Sequence, residues 1–313
     1  MVEDVLDQHP LRVLVGPTAS GKTSLALELA ERAGAELVSL DSMLVYRGMD
    51  VGTAKPAPEE LARVRHHLVD IASPAERYDV QRYLQDAALA LEDVYARGKR
   101  AIFVGGTGFY LAALLRGLFK GPPVDPELRA RVEALAVELG PEALHEKLAA
   151  IDAESAERLH PNDVRRVVRA LEVYEQTGRT LADWQEEWGG EPGDRARSAR
   201  LVGLRLETAE LDRRIRARTE VMLSGGWREE ALSVREDPGF GPSAVQALGY
   251  EEVLAWADGE LERNEALERI ALRTRQFARR QRTWYRKFDI TWLDPDGGAS
   301  ADEALQAFGW GAA

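Results

Sequence analysis

The sequence predicts an α/β fold, in which a parallel β-sheet is flanked by helices and interrupted by an inserted all-helical subdomain. Over the first 120 residues, short apolar segments alternate with helical segments, which is the pattern of a parallel sheet. Two of these apolar segments lead directly into glycine-rich turns, at Gly16 and at Gly105. The chain then becomes charged and helix-like, and strand character returns only near Leu201.

This pattern predicts both the strands and the division of the chain. The predicted strands span residues 11–15, 36–40, about 67–70, 101–104, 201–206 and 290–293. Within the insertion, Asp125-Pro126 and Pro161-Asn-Asp163 are typical helix starts. We therefore expect a core formed by residues 1–120 and 199–313, and a helical subdomain formed by residues 121–198.

The composition excludes several kinds of site. The 313 residues include no cysteine, which rules out disulfides, thiolate metal sites and cysteine nucleophiles. The five histidines lack metal-ligand spacing, and the adjacent His66 and His67 would point to opposite faces of a strand, which favours structural roles. No run of about 18 apolar residues is present and the first residues lack an export-signal pattern. We therefore expect a cytoplasmic protein with no membrane partner.

The most informative motif is Gly16-Pro-Thr-Ala-Ser-Gly-Lys-Thr23, which matches the phosphate-binding pattern G-x-x-x-x-G-K-[ST]. Its glycines let backbone N–H groups turn toward an anion, Lys22 adds a positive charge, and Thr23 offers a hydroxyl to Mg²⁺. A buried strand precedes the motif and a helix follows it, so we predict a P-loop NTPase-like sheet with Mg²⁺ as its metal. The residues that bind a di- or triphosphate would be Gly16, Pro17, Thr18, Ala19, Ser20, Gly21, Lys22 and Thr23.

Two further turns are expected at the same edge of the sheet. Asp41 follows the second strand, and three roles are open to it: an outer-sphere partner of Mg²⁺, a general base, or a cap on the following turn. Gly105-Gly-Thr-Gly108 follows the fourth strand and would bring Thr107 toward the cleft. For this short motif, a ligand site and a tight turn without a ligand remain alternatives.

Positive charge is concentrated near the C-terminus, although the net charge is −12. Residues 269–287 contain eight Lys or Arg and no acidic residue, and residues 213–218 contain four more arginines. Helical spacing predicts an apolar face that packs on the core, formed by Ile270, Phe277, Trp284 and Phe288. It also predicts a basic face formed by Arg275, Arg279, Arg282 and Arg286. This face could be simply solvated, or it could bind a polyanion. No acidic residues lie at the helical spacings that would neutralise these arginines, which favours the polyanion.

Six segments, in order along the chain, resemble the bacterial tRNA dimethylallyltransferases, which are also called tRNA isopentenyltransferases or the IPP transferase family. The segments are residues 16–23, 41–56, 66–71, 104–110, 160–173 and 274–284. The resemblance implies transfer of a dimethylallyl group from dimethylallyl diphosphate to the exocyclic N6 amine of the adenine 3′-adjacent to the anticodon. The phosphate loop would then stabilise a departing diphosphate. The implied partners are this donor and the anticodon stem-loop of tRNA. The expected cofactor is Mg²⁺, and we expect the enzyme to be a monomer.

The same resemblance implies roles for residues at matching positions. Asp41 would be the base that removes a proton from the adenine amine, and Thr107 and Arg218 would complete the catalytic set. The implied tRNA contacts are Asp41, Ser42, Met43, Leu44, Thr107, Arg129, Arg165, Arg166, Val167, Val168 and Arg169, with the four arginines of the basic face.

Two other functions share parts of this pattern. A P-loop kinase for a small metabolite or nucleotide would bind ATP and use Lys22 and Thr23. The sequence lacks two features expected of such a kinase. It has no second apolar strand that ends in Asp, and it has no arginine-rich lid close to the phosphate loop. An RNA-binding protein switched by its nucleotide state would leave Asp41 without a role.

Overall fold

The computed structural model describes residues 2–118, 121–188, 193–294 and 301–311, and it confirms the parallel α/β fold. The strands are β1 (Arg12–Val15), β2 (Ala35–Leu40), β3 (His66–His67), β4 (Arg100–Gly105), β5 (Arg200–Leu204) and β6 (Thr291–Leu293). They form one sheet in the order β3-β2-β4-β1-β5-β6, and all neighbouring pairs are parallel. The third strand is only two residues long and overlaps the predicted segment 67–70 only at His67.

Helices occupy most of the remaining described chain. They are α1 (Val2–Gln8), α2 (Lys22–Ala33), α3 (Pro58–Arg63), α4 (Val80–Ala96), α5 (Gly108–Arg116), α6 (Pro126–Leu139), α7 (Pro141–Ile151), α8 (Ala153–Arg158), α9 (Val164–Thr177), α10 (Leu181–Trp188), α11 (Asp194–Ser198), α12 (Thr208–Ser224), α13 (Trp227–Glu236), α14 (Tyr250–Ala257), α15 (Arg263–Tyr285) and α16 (Ala301–Ala307). None of these helices is both long and apolar enough to cross a membrane.

The ends of three neighbouring strands lie level at the carboxyl edge of the sheet. Val15 of β1 pairs with Gly105 of β4, and Gly105 pairs with Leu40 of β2. The loops that follow these strands therefore leave the sheet side by side. These loops are the phosphate loop, the turn at Gly105 and the segment that begins with Asp41.

One face of the sheet is covered by α2 and α16. Leu25 and Leu29 of α2 and Leu305 of α16 pack with the strand residues Leu14 and Ile102 in one buried cluster. Fully burying a leucine contributes about 1.5 to 3 kcal/mol, so this cluster holds α2 firmly behind the phosphate loop.

The chain divides into two compact units. The first contains residues 1–115 and 194–313, and includes the whole sheet. The second contains residues 116–193 and has its own apolar core, to which Leu128, Leu144, Val167 and Leu171 contribute. Residues 189–192, which belong to the predicted helical subdomain, lie outside the described residues.

The longest described helix, α15, buries a face next to the one predicted. Ile270 is buried, as predicted, and the other buried residues include Thr274, Ala278, Gln281 and Tyr285. Phe277, Trp284 and Phe288 are only half-buried, so the predicted apolar face packs on the core only in part. The reason is that the face turned toward the sheet edge must contact closely packed backbone turns, and it does so with polar groups.

Candidate functional site

The phosphate loop, residues 16–23, bends sharply before α2 begins at Lys22. Ala19 and Gly21 adopt left-handed backbone conformations, with φ of 64° and 88°. No side chain caps the N-terminus of α2. Uncapped N–H groups and the positive end of the helix dipole attract anions, so this loop is suited to a phosphate group.

Lys22 provides a cation inside this loop. Its half-buried side chain donates a hydrogen bond from Nζ to the carbonyl oxygen of Pro17, at 3.2 Å. Burial lowers the pKa of Lys22 to about 8, and the nearby Asp41 carboxylate opposes this shift. The ammonium form therefore still predominates at pH 7, and an anion in the loop would favour it further.

Arg218, from α12, provides a second cation at the same place. Its Nη2 donates a hydrogen bond to Thr18 Oγ1 at 2.5 Å, so the guanidinium is attached to the phosphate loop. Burial lowers the pKa of Arg218, and Asp41 opposes this shift. Two cations thus lie close to a single carboxylate, and this excess of positive charge favours binding of an anion.

A cavity of about 340 Å³ lies over the phosphate loop. Its walls include residues 19–23, Arg218 and Arg214, together with Ala54 and Lys55 from a second loop. The space is open and mostly polar or charged, as a bound diphosphate requires.

A second cavity, of about 110 Å³, shares Lys22, Thr23 and Arg218 with the first and contains Asp41. Apolar side chains form part of its walls, among them Ala26, Leu44, Val69 and Val104. A carboxylate, two cations and an apolar surface therefore face one small space.

Asp41 is held at the end of β2 by local hydrogen bonds. Its Oδ1 accepts a hydrogen bond from the backbone N–H of Met43 at 2.9 Å, as expected for the turn-capping role. Among the described residues, none donates a hydrogen bond to Oδ2. One carboxylate oxygen thus orients the side chain, while the other remains available to a substrate.

Thr107 ties the turn after β4 to the segment after β2. Its Oγ1 accepts a hydrogen bond from the N–H of Ser42 at 3.2 Å, and its own N–H donates to the carbonyl oxygen of Leu40 at 3.2 Å. These bonds set the position of Thr107 next to Asp41. The structure therefore brings together Asp41, Thr107, Arg218 and the phosphate loop.

Helix α15 holds two of these turns with side chains that the sequence analysis did not identify. Gln281 Oε1 accepts from the N–H of Thr18 at 2.9 Å, and Gln281 Nε2 donates to the carbonyl oxygen of Gly106 at 2.8 Å. Tyr285 donates its hydroxyl hydrogen to the carbonyl oxygen of Gly16 at 2.9 Å. One buried amide therefore bridges the phosphate loop and the turn after β4.

The glycines of the second turn are needed for this close approach. A Cβ atom at Gly106 would overlap the Gln281 amide, and one at Gly108 would lie 2.5 Å from Cβ of Trp284. Packing on α15 therefore accounts for two glycines of Gly105-Gly-Thr-Gly108, independently of any ligand.

Glu230 on α13 is a second positioning group that the sequence analysis missed. Its carboxylate accepts hydrogen bonds from three consecutive backbone N–H groups, those of Asp50, Val51 and Gly52, at 2.7, 2.6 and 2.9 Å. The hydroxyl of Tyr250 donates to the same carboxylate at 2.6 Å. The loop held in this way continues into residues 53–56, which line both cavities.

The four arginines of the predicted basic face differ in their contacts. Arg282 is partly buried and donates to the carbonyl oxygen of Leu206 and, at 2.8 Å, to Thr208 Oγ1. Arg282 therefore stabilises the fold, and the prediction that it lies on an exposed basic face was wrong. The side chains of Arg275, Arg279 and Arg286 form no hydrogen bond or ion pair with any residue in the described ranges.

The second basic cluster, at 213–218, is largely neutralised by acidic neighbours. Glu210 accepts from Arg213 at 2.7 Å and from Arg214 at 2.5 Å, and these bonds lower the pKa of Glu210 to about 2. Arg216 pairs with Glu268. This cluster is therefore less available to a polyanion than its sequence suggests.

In the helical unit, the residues predicted to contact tRNA have different environments. Val167 and Val168 are buried in the apolar core of that unit, so their side chains do not face solvent, and their contact with tRNA stays a prediction. Arg165 and Arg166 are exposed, and Arg166 pairs with Asp163 at 2.9 Å. The reason is that α9 buries one face, which contains Val167 and Val168, and leaves Arg165 and Arg166 on its exposed side.

Arg129 and Arg169 are engaged within the same unit. Both pair with Glu172, which is fully buried, at 2.6 and 2.8 Å. Arg169 also donates to the carbonyl oxygen of Pro122 at 2.7 Å. Because an unpaired buried carboxylate is costly, these two arginines stabilise the helical unit whether or not they also contact a ligand.

The adjacent histidines lie on different sides of the chain, as predicted. His67 Nε2 lies 2.7 Å from Glu36 Oε2, whereas His66 faces the 110 Å³ cavity, and burial lowers the pKa of His66. Within the part of the chain that the structure describes, no three His, Asp or Glu side chains cluster as metal ligands.

Comparison with known proteins gives a consistent result. A family model described as IPP transferase matches residues 44–288, and one described as isopentenyl transferase matches residues 9–77. The tRNA dimethylallyltransferase 2 of Geotalea uraniireducens is 45% identical over 291 residues, which cover 92% of this chain and 93% of that protein. The tRNA dimethylallyltransferase of Sorangium cellulosum is 47% identical, over 90% of each chain.

Solved structures show the same similarity. The tRNA isopentenylpyrophosphate transferase of Bacillus halodurans is 36% identical, with a TM-score of 0.64 over 91% of this chain and 89% of that one. A eukaryotic dimethylallyltransferase acting on tRNA is 28% identical, with a TM-score of 0.76 over 95% of this chain and 77% of that one.

Proposed function

The chain belongs to the IPP transferase family, and from this premise we propose that it transfers a dimethylallyl group to tRNA. In the proposed reaction, dimethylallyl diphosphate is the donor and diphosphate is released. The acceptor is the exocyclic N6 amine of the adenine 3′-adjacent to the anticodon.

The composition of the 110 Å³ cavity is the observation that best supports this reaction. Lys22, Arg218 and Asp41 line it together with apolar side chains. A diphosphate requires cations, an isoprenoid group requires apolar walls, and a weakly nucleophilic amine requires a base. A kinase would have less use for this combination, because a phosphoryl group does not need an apolar wall.

The phosphate loop would act on the leaving group. As the carbon–oxygen bond of the donor breaks, the diphosphate gains negative charge and the allylic carbon bears positive charge. The Lys22 ammonium and the backbone N–H groups of residues 21–23 would stabilise that negative charge, and Arg218 would hold Thr18 in place.

Asp41 would act on the acceptor. The lone pair of an adenine amine is delocalised into the ring, so loss of a proton as the carbon–nitrogen bond forms lowers the barrier. Asp41 Oδ2 would take that proton, while the hydrogen bond from Met43 to Oδ1 keeps the carboxylate oriented. The bonds balance: one C–N bond forms, one C–O bond breaks, and one N–H proton moves to the carboxylate.

The oxygen atoms of these side chains fit Mg²⁺ only when a diphosphate is bound as well. Thr23 is exposed beside the cavity that contains Asp41, and both offer the oxygen ligands that Mg²⁺ prefers. Because the described residues include no cluster of three acidic or histidine ligands, the remaining ligands must come from diphosphate and water. When bound, Mg²⁺ would neutralise charge on the leaving group.

Binding of tRNA would use arginine side chains of both units. We propose that Arg275, Arg279 and Arg286 contact its phosphates, with Arg165 and Arg166 of the helical unit. The enzyme would act as a monomer on the anticodon stem-loop, in the cytoplasm where tRNA is present.

Transfer of a label distinguishes this function from its rivals. The protein is incubated with undermodified tRNA and either dimethylallyl diphosphate labelled in its prenyl group or ATP labelled in its γ-phosphate. We expect the prenyl label to enter tRNA and the ATP label to stay in place. Phosphoryl transfer to a small molecule would establish a kinase, and tRNA-independent ATP hydrolysis without prenyl transfer would favour a nucleotide switch.

A further inference from the structure

One side of α15 alternates aromatic and cationic side chains. Phe277, Arg280 and Trp284 follow one another at spacings of three and four residues, so they share a face, and Lys287 follows in the turn after the helix. The Arg280 guanidinium lies 5.9 Å from the ring centroid of Phe277. The Lys287 ammonium lies 4.3 Å from that of Trp284.

Phe109 extends this surface to the catalytic edge of the sheet. Its side chain is 46% exposed, which is unusual for a large apolar group, and its ring centroid lies 6.4 Å from that of Trp284. Phe109 follows Thr107 by two residues, and Thr107 contacts the segment that begins with Asp41. A partly exposed aromatic surface therefore begins beside the candidate acceptor site. We call Phe109, Phe277, Arg280, Trp284 and Lys287 the aromatic stripe.

Three arginines within and beside the aromatic stripe have no acidic partner in the part of the chain that the structure describes. Arg279 and Arg286 are exposed next to it, and Arg280 is exposed within it. None of these three arginines forms an ion pair with a residue in the described ranges. Flat rings among uncompensated cations suit single-stranded nucleic acid, because bases stack on the rings while phosphates meet the cations.

We propose that the aromatic stripe stacks the nucleotides that flank the acceptor adenine in the anticodon loop. This inference rests on the proposed function and adds the part of the RNA that this surface recognises. For an adenine to reach Asp41, it must leave its stack, and its neighbours lose stacking partners. Aromatic side chains beside the catalytic edge replace those partners and lower the energy needed to expose the adenine.

A double-mutant cycle between protein and RNA tests this proposal. Binding of an unmodified anticodon stem-loop RNA is compared with binding of the same RNA carrying an abasic nucleotide at each position flanking the acceptor adenine. Phe109→Ala, and separately Phe277→Ala, should weaken binding of the intact RNA by about 5- to 100-fold. For RNA that lacks the stacked base, wild type and variant should bind alike, since the contact is already absent.

The controls separate stacking from other effects. Leu89→Ala removes an exposed apolar side chain, 63% exposed on α4, and should leave RNA binding unchanged. Because Phe109→Ala removes no charge, it should not alter the dependence of affinity on salt, whereas Arg279→Ala should. Donor binding and thermal unfolding of each variant show whether the fold and the phosphate loop are intact.

Two results would overturn the proposal. One is wild-type affinity of both Phe109→Ala and Phe277→Ala for intact RNA. The other is an equal loss of affinity on intact and abasic RNA at every flanking position. If the wild type transfers no prenyl group to tRNA, the proposed function itself fails; if it transfers normally and the cycle shows no coupling, only this inference fails.

Discussion

Lys22 in the phosphate loop is a residue whose charge depends on its surroundings, because burial lowers its pKa to about 8. Below that pH the ammonium is available to a diphosphate, and above it the neutral amine attracts the anion less. We therefore expect kcat/KM for the donor to fall as pH rises through about 8, approaching tenfold per unit. The measurement is a profile of kcat/KM between about pH 7 and about pH 10.

The Lys22→Arg variant provides the control for this titration. A guanidinium stays charged over the whole range, so the fall above pH 8 should disappear even if the larger side chain lowers activity. A wild-type profile that stays flat up to pH 10, or an identical fall in Lys22→Arg, would show that another group titrates.

At the scale of elements, α15 both closes the core and holds the catalytic turns. In Gln281→Ala, the N–H of Thr18 and the carbonyl oxygen of Gly106 would lose their partners. Each unsatisfied buried group costs about 1 to 3 kcal/mol, so loss of both partners should lower the free energy of unfolding by about 2 to 6 kcal/mol. Denaturant unfolding measures this change, and donor KM should rise because the phosphate loop loses its support.

Gln276→Ala is the matched control, since Gln276 is exposed on the same helix. It should leave both quantities unchanged. An equal effect of the two variants would mean that the bridge made by Gln281 has no special role.

The loop at residues 50–56 depends on α13 in the same way. In Glu230→Gln, one carboxylate oxygen becomes an NH₂ group that can no longer accept the N–H and O–H donors around it. We expect donor KM to rise more than kcat falls, because this loop lines the cavities but does not contribute the base. Steady-state kinetics with varied donor provide the comparison.

Glu229→Gln is the neighbouring control, because the Glu229 side chain is 72% exposed and lies 4.0 Å from its arginine partner. Its kinetics should match the wild type. If Glu230→Gln lowers stability without changing donor KM, the loop supports the fold and not the donor site.

The strands and catalytic turns could be predicted because their signals are local. An apolar segment followed by glycines, or by Asp41, marks the end of a parallel strand wherever the strand sits in the sheet. The contacts of Gln281 and Glu230 could not be predicted in this way, since their partners lie as far as 263 and 180 positions away. Only tertiary packing brings them together.

Some missed features did have a local signal. Glu210 precedes Arg213 and Arg214 by three and four residues, which is the helical spacing of an ion pair. Similarly, Val164, Val167, Val168 and Leu171 recur at the spacing of a buried helix face. Helical spacing therefore predicts that the two central valines face a core and not a ligand.

At the scale of the whole molecule, an acidic protein with a net charge of −12 would have to bind a polyanion through limited basic surfaces. Arg275→Ala combined with Arg279→Ala should weaken tRNA binding at low salt. The slope of log affinity against log salt should decrease by about 0.7 to 0.9 per arginine removed. Affinities measured at several salt concentrations provide the slope.

Arg282→Ala is a contrasting variant for this experiment. Because Arg282 bonds to Leu206 and Thr208, its loss should lower stability with little change in the salt slope. An unchanged slope in the double variant, with normal tRNA affinity, would show that this face of α15 is only solvated.

The central claim is that Asp41 and the phosphate loop together catalyse alkyl transfer to tRNA, and single-turnover transfer tests it most directly. The rate at which prenyl label enters tRNA is measured with enzyme in excess for wild type, Asp41→Asn and Asp289→Asn, an exposed control. Loss of a general base should slow transfer about 10²- to 10⁴-fold, or about 3 to 5 kcal/mol, while donor and tRNA binding persist. Asp289→Asn should match the wild type. Near-normal transfer by Asp41→Asn would contradict the account.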